Sequence, residues 1–411
     1  MPGKIVKFPE GFLWGSASSS HQIEGNNTNN DWWEFEHSAR RQQHLRNMGS
    51  KPEDFYSGIA CDSYNRFDED FALAEHLNQN ATRISLEWSR IEPQEGQFSE
   101  KEIEHYEKVL QSAKAHGLKT FVTLHHYANP KWFAAQGAFM QTSSVDTFFR
   151  FASVVADRLS QYTDFWLTFN EPEVYATHSY LLGKYPPQER SLRKTLRVVN
   201  HLIKAHNKTA DMLKHKTGKP VSMAYQLMDL ERVGILGYFT HMIGEYMLNE
   251  YIINRTIDHC DYIGLNYYFH HHIGLFGLRK SSQTKHVETD LGWGIHPEGI
   301  ERVLLKLHKH NKPIYITENG LADAKDLHRE KFIFDHLYFI HQALQKGVDV
   351  RGYLHWTLID NFEWLQGFVP RFGLVEIDRD DMLRRKVRMS AVRFAEICRN
   401  NSMEYDGIDQ N

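Results

Sequence analysis

Two glutamates stand in settings that suit paired acid and nucleophile chemistry. Glu171 lies in Thr168-Phe169-Asn170-Glu171-Pro172, and Glu318 in Ile316-Thr317-Glu318-Asn319-Gly320. Cleaving a glycosidic bond takes two such carboxylates flanking it: one protonates the leaving oxygen while the other attacks the anomeric carbon or activates water. Retention of configuration requires them about 5–5.5 Å apart, a separation that spacing along a chain does not give. A lone glutamate at a strand end more often makes a salt bridge or caps a helix, so the neighbours decide. Pro172 ends its strand and biases Glu171 toward extended backbone. Asn170 can offer its amide to a sugar hydroxyl, and Gly320 releases the backbone just after Glu318.

These residues need a scaffold. Short apolar, β-prone runs recur at 12–16, 81–86, 119–124, 164–169, 220–225, 261–266, 313–317 and 350–356. Stretches of helical period fall between them, at 100–116, 144–161, 192–215, 298–310 and 327–346, two ending at Gly117 and Gly347. Eight strands alternating with helices, with no linker or repeat, predict an α/β fold: a single (β/α)8 TIM barrel over 1–411 with a short polar tail from about 400. A doubly wound sheet would carry a GxGxxG turn after its first strand, and 12–25 has none. In a barrel the functional residues cluster at the C-terminal ends of the strands. Gln22, Arg83, His126, Asn170, Glu171, Asn266, Tyr268, Glu318, Trp356 and Glu363 all fall there. Amides, carboxylates and flat aromatics suit a sugar better than a phosphate or a metal.

Composition narrows the partners. A net charge of −4 provides no basic field for nucleic acid or an anionic membrane surface. The histidine run His270-His271-His272 reads as a polar loop rather than a metal site, because ligands normally converge from separate elements. No metal and no cofactor are expected. Cys61, Cys260 and Cys398 are odd in number and far apart, which suits a reducing compartment. With no signal-peptide pattern ahead of Phe8 and no membrane-length apolar run, a cytoplasmic location is expected.

The motifs TFNEP and ITENG resemble the acid/base and nucleophile signatures of glycoside hydrolase family 1, the β-glucosidase/β-galactosidase family. FLWGSASSSHQIEG, RISLEWSRIEP, LHHYANPKW, IGLNYY and DNFEW agree in order, so the similarity covers about 8–394. The resemblance implies a retaining β-glycosidase, β-glucosidase-like with β-galactosidase or β-fucosidase activity as alternatives, that hydrolyses small unphosphorylated β-D-glycosides or short oligosaccharides through a covalent glycosyl-enzyme, with Glu171 as acid/base and Glu318 as nucleophile. It implies that Gln22 bridges the 3- and 4-hydroxyls, His126 binds the 3-hydroxyl and Asn170 the 2-hydroxyl. Arg83, Asn266 and Tyr268 would support the nucleophile, and Glu363 with Trp364 would read the 4- and 6-hydroxyls. Trp356 would form the floor under the ring and Trp293 a wall of the next subsite, with Phe372 closing the same end. Two positions depart from the pattern. Tyr127 stands where relatives carry Trp or Phe, and Pro370 replaces a Ser- or Lys-bearing turn.

Two rival functions are weighed against this reading. A 6-phospho-β-glycosidase would place a phosphate dianion beside Glu363, which would repel it. A non-catalytic sugar-binding protein on the same scaffold would have no need of both glutamates. Transfer to a sugar hydroxyl instead of water remains open.

Overall fold

The computed structural model describes residues 4–275, 277–279 and 288–407. Eight parallel strands close into a barrel: β1 (Leu13–Ala17), β2 (Ala81–Ser85), β3 (Lys119–His125), β4 (Phe165–Asn170), β5 (Val221–Gln226), β6 (Ile263–Asn266), β7 (Ile314–Asn319) and β8 (Val350–Trp356). Each strand pairs with its sequence neighbour, and β8 returns to β1 through Trp356 opposite Ala17. The expected runs coincide with these strands to within a residue or two.

Both faces of a parallel barrel strand are covered, so the strands read as continuous buried runs rather than alternating ones. The helices outside follow in order: α1 (Ser63–His76), α2 (Glu100–Ala115), α3 (Ser144–Leu159), α4 (Leu192–Thr217), α5 (Tyr238–Glu245), α6 (Glu298–Leu307), α7 (Arg329–Gln345) and α8 (Met389–Asn400). α3 shows why they form. Phe148, Phe151, Ala152, Val155, Ala156 and Leu159 recur at helical spacing, and all are buried against the barrel. Each large apolar side chain so buried contributes roughly 1.5–3 kcal/mol. Ser99 and Ser191 cap α2 and α4 by accepting the N–H groups of Glu102 and Lys194. Gly117 and Gly347 take left-handed φ of +74° and +88° just past α2 and α7.

Inside the barrel, Phe121, Phe165, Tyr262 and Tyr315 pack ring on ring and plug its lower half. Asn170, Asn266, Glu318 and Trp356 stand at the opposite, upper end, where the strands finish. The segment expected as a polar tail contributes strand Ser402–Tyr405, paired antiparallel with Lys4–Lys7, so hydrophobic Val6 and Met403 are buried there. The last residues of that segment, 408–411, lie outside the described residues.

Candidate active site

At the C-terminal mouth of the barrel lies a cleft of about 410 Å³. It is lined by Gln22, His126, Asn170, Glu171, Tyr268, Trp293, Glu318, Trp356, Glu363, Trp364 and Phe372, eleven of the thirteen residues singled out from the sequence. The other two, Arg83 and Asn266, lie beneath the cleft floor, fully buried, and reach it through hydrogen bonds.

Their network holds the two glutamates unequally. Arg83 donates from Nη1 to Glu318 Oε1 at 2.5 Å and from Nη2 to Asn170 Oδ1 at 2.6 Å. The phenol of Tyr268 donates to the other oxygen of Glu318 at 2.8 Å. Glu318 therefore has a guanidinium and a hydroxyl, one on each oxygen. Glu171 has only neutral donors. Asn266 Nδ2 donates to its Oε1 at 2.8 Å, and the Tyr127 hydroxyl donates to its Oε2. Asn266 was expected to support the nucleophile; its amide donates to Glu171 and Asn170 Oδ1 and also favours the ionised form of Glu318, while its own oxygen accepts from Thr317 Oγ1 at 2.7 Å.

Burial acts on both carboxyls in the same direction. Glu171 is raised to about 7, first by desolvation and then by the negative charge of Glu318; Tyr127 and Asn266 pull it back. Glu318 is also raised by burial, with the charge of Arg83 as the chief opposing influence. A guanidinium stabilises a carboxylate more than neutral donors do, so the first proton to leave the pair leaves Glu318. Glu363 is raised to about 8 by burial and by the two other glutamates, against a hydrogen bond from Gln22 Nε2 at 3.3 Å. Burial, with Arg83 nearby, holds His126 well below the ordinary imidazole range, hence neutral.

The local backbone differs from the sequence expectation at both glutamates. Glu171 is not extended. It has φ 42° and ψ 63°, the left-handed region, and immediately precedes the short helix Pro172–Ala176. Proline is well suited to that first helical position because its missing N–H would go unpaired there anyway. The Glu171 N–H bonds the Ala224 carbonyl at 2.8 Å, which holds the turn against β5. Gly320 is needed for closeness rather than freedom: a Cβ there would lie 1.9 Å from the Trp356 carbonyl oxygen. Tyr127 and Trp364, at φ 69° and 46°, share the left-handed strain of Glu171. Such backbone costs about 1–3 kcal/mol per residue and gathers at functional sites.

Among the other lining residues, Tyr185 and Phe269 carried no sequence signal, and His271 was read only as part of a polar loop. Tyr185 reaches the cleft from the connection after β4, and Phe269 and His271 from just beyond β6. The histidine run forms a strand, His270–Gly274, not a loop. It pairs in parallel with Asp229–Arg232 and antiparallel with Gly277–Arg279 in a small accessory sheet beside the cleft. Tyr127 was legible as a departure, yet only the fold shows its hydroxyl on Glu171. His125, unlike His126, turns away to bond Asn129 at 3.1 Å.

A closed parallel barrel with two buried, unequally supported glutamates facing one cleft defines a (β/α)8 glycosidase. The family model for glycosyl hydrolase family 1 matches residues 5–232 and 249–403, and the chain belongs to that family. It is 30% identical to Beta-glucosidase A of Thermotoga maritima over 97% of this chain and 99% of that protein. It is 32% identical to the galactolipid galactosyltransferase SFR2 of Arabidopsis thaliana, over 82% of this chain and 57% of that one. A solved β-glycosidase from Pyrococcus horikoshii superposes with a TM-score of 0.88 at 33% identity, covering 98% of this chain and 97% of that chain. The chain is a β-glycosidase. No helix among the described residues is long and apolar enough to cross a membrane.

Proposed function

We propose that this β-glycosidase is a retaining enzyme, with Glu318 as nucleophile and Glu171 as acid/base, acting on unphosphorylated β-D-glycosides. The observation that carries the reading is the unequal support of the two carboxyls: a cation favours the ionised form of Glu318 against burial, while burial keeps a proton on Glu171 up to about pH 7. An ionised Glu318 oxygen attacks the anomeric carbon as its bond to the aglycone breaks. The departing electron pair takes the Glu171 proton. The covalent ester consumes the charge on Glu318, so Glu171 ionises more easily and accepts a proton from the attacking water. The C–O bond to Glu318 then breaks and releases the sugar with its configuration retained.

The remaining roles follow from placement. Both Asn170 Oδ1 lone pairs are occupied by Arg83 and Asn266, and its amide nitrogen bonds His126 Nε2 at 3.2 Å, so the second hydrogen of that amide is left to meet a 2-hydroxyl. Glu363 and Gln22, hydrogen-bonded to one another, face the cleft together as a reader of the distal hydroxyls. A carboxyl raised to about 8 can both donate to and accept from a hydroxyl, and once ionised it would repel a phosphate dianion. Trp356 and Trp364 supply flat apolar surface for the ring face. Trp293, 4.7 Å from Phe269 and 6.1 Å from Phe372 between ring centroids, walls the outer subsite.

The test is a 2-deoxy-2-fluoro aryl β-glucoside, which reacts at the first step and hydrolyses slowly at the second. Intact-mass and peptide mapping should find one sugar on the peptide carrying Glu318, and NMR of normal turnover should show the β-anomer first. A first-formed α-anomer would establish inversion and overturn the proposal. Transfer is a second reading, favoured by the relative named as a galactosyltransferase. Partition of product between water and an added glycoside acceptor distinguishes the two.

A further inference from the structure

The accessory sheet has one face that the glycosidase chemistry does not use. Its parallel strands pair Asp229 with His270, Leu230 with His271 and Glu231 with His272. Side chains alternate along a strand, so Asp229, Glu231, His270 and His272 share one face. His271 turns the other way, into the cleft.

On the shared face, His270 Nδ1 bonds Asp229 Oδ2 at 2.7 Å, and Asp229 is also paired with Arg302 at 2.5 Å. An ionised aspartate can only accept, so Nδ1 carries the imidazole proton and Nε2 presents its lone pair. That Nε2 points toward Glu231 Oε2 at 3.6 Å, and His272 Nδ1 approaches the same oxygen at 3.9 Å. Both distances exceed a hydrogen bond. His272 Nδ1 is buried without a hydrogen-bond partner among the described residues. The three ligand atoms all lie within 4.8 Å of one another. Donors bound to one tetrahedral ion at 2.0–2.2 Å stand about 3.3–3.5 Å apart, so small adjustments of the His272 ring and of Glu231, whose side chain is 57% exposed, would draw the three together.

We propose that Glu231, His270 and His272 form a zinc site on the outer face of this sheet. Asp229 fixes the ring of His270 as an outer partner, the arrangement usual behind a metal-bound histidine. Two imidazoles and one carboxylate select a zinc-like first-row ion over magnesium or calcium, which prefer all-oxygen sets. Three protein ligands leave the fourth position to water. The neighbouring trio Asp229, His270 and His296 is the weaker candidate, because Arg302 already neutralises Asp229. An ion here would tie the Asp229–Arg232 strand to the strand that carries His271 into the cleft, stiffening the wall of the outer subsites.

The experiment is calorimetric titration of the full chain with Zn2+, and with Mg2+ and Ca2+ as controls. The visible spectrum of the Co2+-loaded protein then reports the geometry. One Zn2+ per chain is expected, with a tetrahedral Co2+ spectrum and a thermal midpoint raised by a few degrees on saturation. Glu231→Gln and His272→Ala should each weaken binding by more than the roughly 10–100-fold that losing an outer partner costs, with hydrolysis of small aryl glycosides unchanged. Circular dichroism keeps misfolding distinguishable from loss of a ligand, and the exposed Glu231→Gln provides a second route should His272→Ala fold poorly. Absence of binding, or binding unaffected in both variants, would overturn the site.

Discussion

Replacing Tyr127 by Phe removes one atom from the site and should move one limb of the pH profile. The hydroxyl donates to Glu171 Oε2, while the ring packs against Trp364 and Tyr185, 5.2 and 5.8 Å away between centroids, contacts that Phe retains. A hydrogen bond to a charged group is worth about 1.5–3 kcal/mol. A protonated carboxyl still accepts one, so the ionised form of Glu171 loses the larger share, on the order of 1–2 kcal/mol. At 1.36 kcal/mol per unit this raises the Glu171 pKa by about one unit. Glu171 must be protonated to donate, so kcat/KM falls as pH rises through its pKa. The basic limb, expected near pH 7 in the parent, should therefore shift to near pH 8. The acidic limb, set by ionisation of Glu318, should stay in place. The assay is kcat/KM against pH for a β-glucoside with a poor leaving group. A dinitrophenyl glucoside, which needs little protonation, serves as the control whose basic limb is weak in both proteins. A basic limb that stays put or moves to lower pH would refute the assigned acid and the stabilising role of Tyr127.

Arg83→Met leaves a buried carboxylate unpaired, a change that typically costs 3–5 kcal/mol. It should lower kcat/KM by about 100-fold or more and move the acidic limb to higher pH, as a pH-rate profile on the same substrate would show. Glu363→Ala should cost about 10–100-fold in kcat/KM on an aryl β-glucoside, from lost hydrogen bonds of about 1.5–3 kcal/mol. The loss should be smaller on the aryl β-xyloside, which lacks the hydroxymethyl group; equal losses would count against its reading the 6-hydroxyl. Gly320→Ala forces its Cβ against the Trp356 carbonyl. A lower thermal midpoint, by an overpacking cost of about 1–3 kcal/mol, together with a raised KM, is expected from melting curves and steady-state kinetics.

The barrel was legible because its causes are local. A buried parallel strand must be largely apolar along its length, as Phe121 to Leu124 and Ile314 to Ile316 are, and a helix over it must repeat its apolar residues at helical spacing, as α3 does. The residues that line the cleft were legible by chemical type, since amides, glutamates and tryptophans at strand ends have few other reasons to recur together. What failed were inferences about backbone and partners. Pro172 suggested an extended Glu171, but its place as the first residue of a helix, with β5 accepting the Glu171 N–H, holds the turn left-handed. Gly320 suggested conformational freedom, but β8 approaches too closely for any side chain. The histidine run suggested a loop, but pairing with Asp229–Arg232 made it a strand.

By itself, then, the sequence determined the barrel and the residue types gathered at the ends of its strands, because propensity, period and residue type act over short stretches. Only the tertiary structure decided how unequally Glu171 and Glu318 are supported. That depends on Arg83 from β2 reaching Glu318 on β7, and on Tyr127 and Asn266 reaching Glu171 from two other strand ends. Charge and burial act through space, and no spacing along the chain records which groups meet.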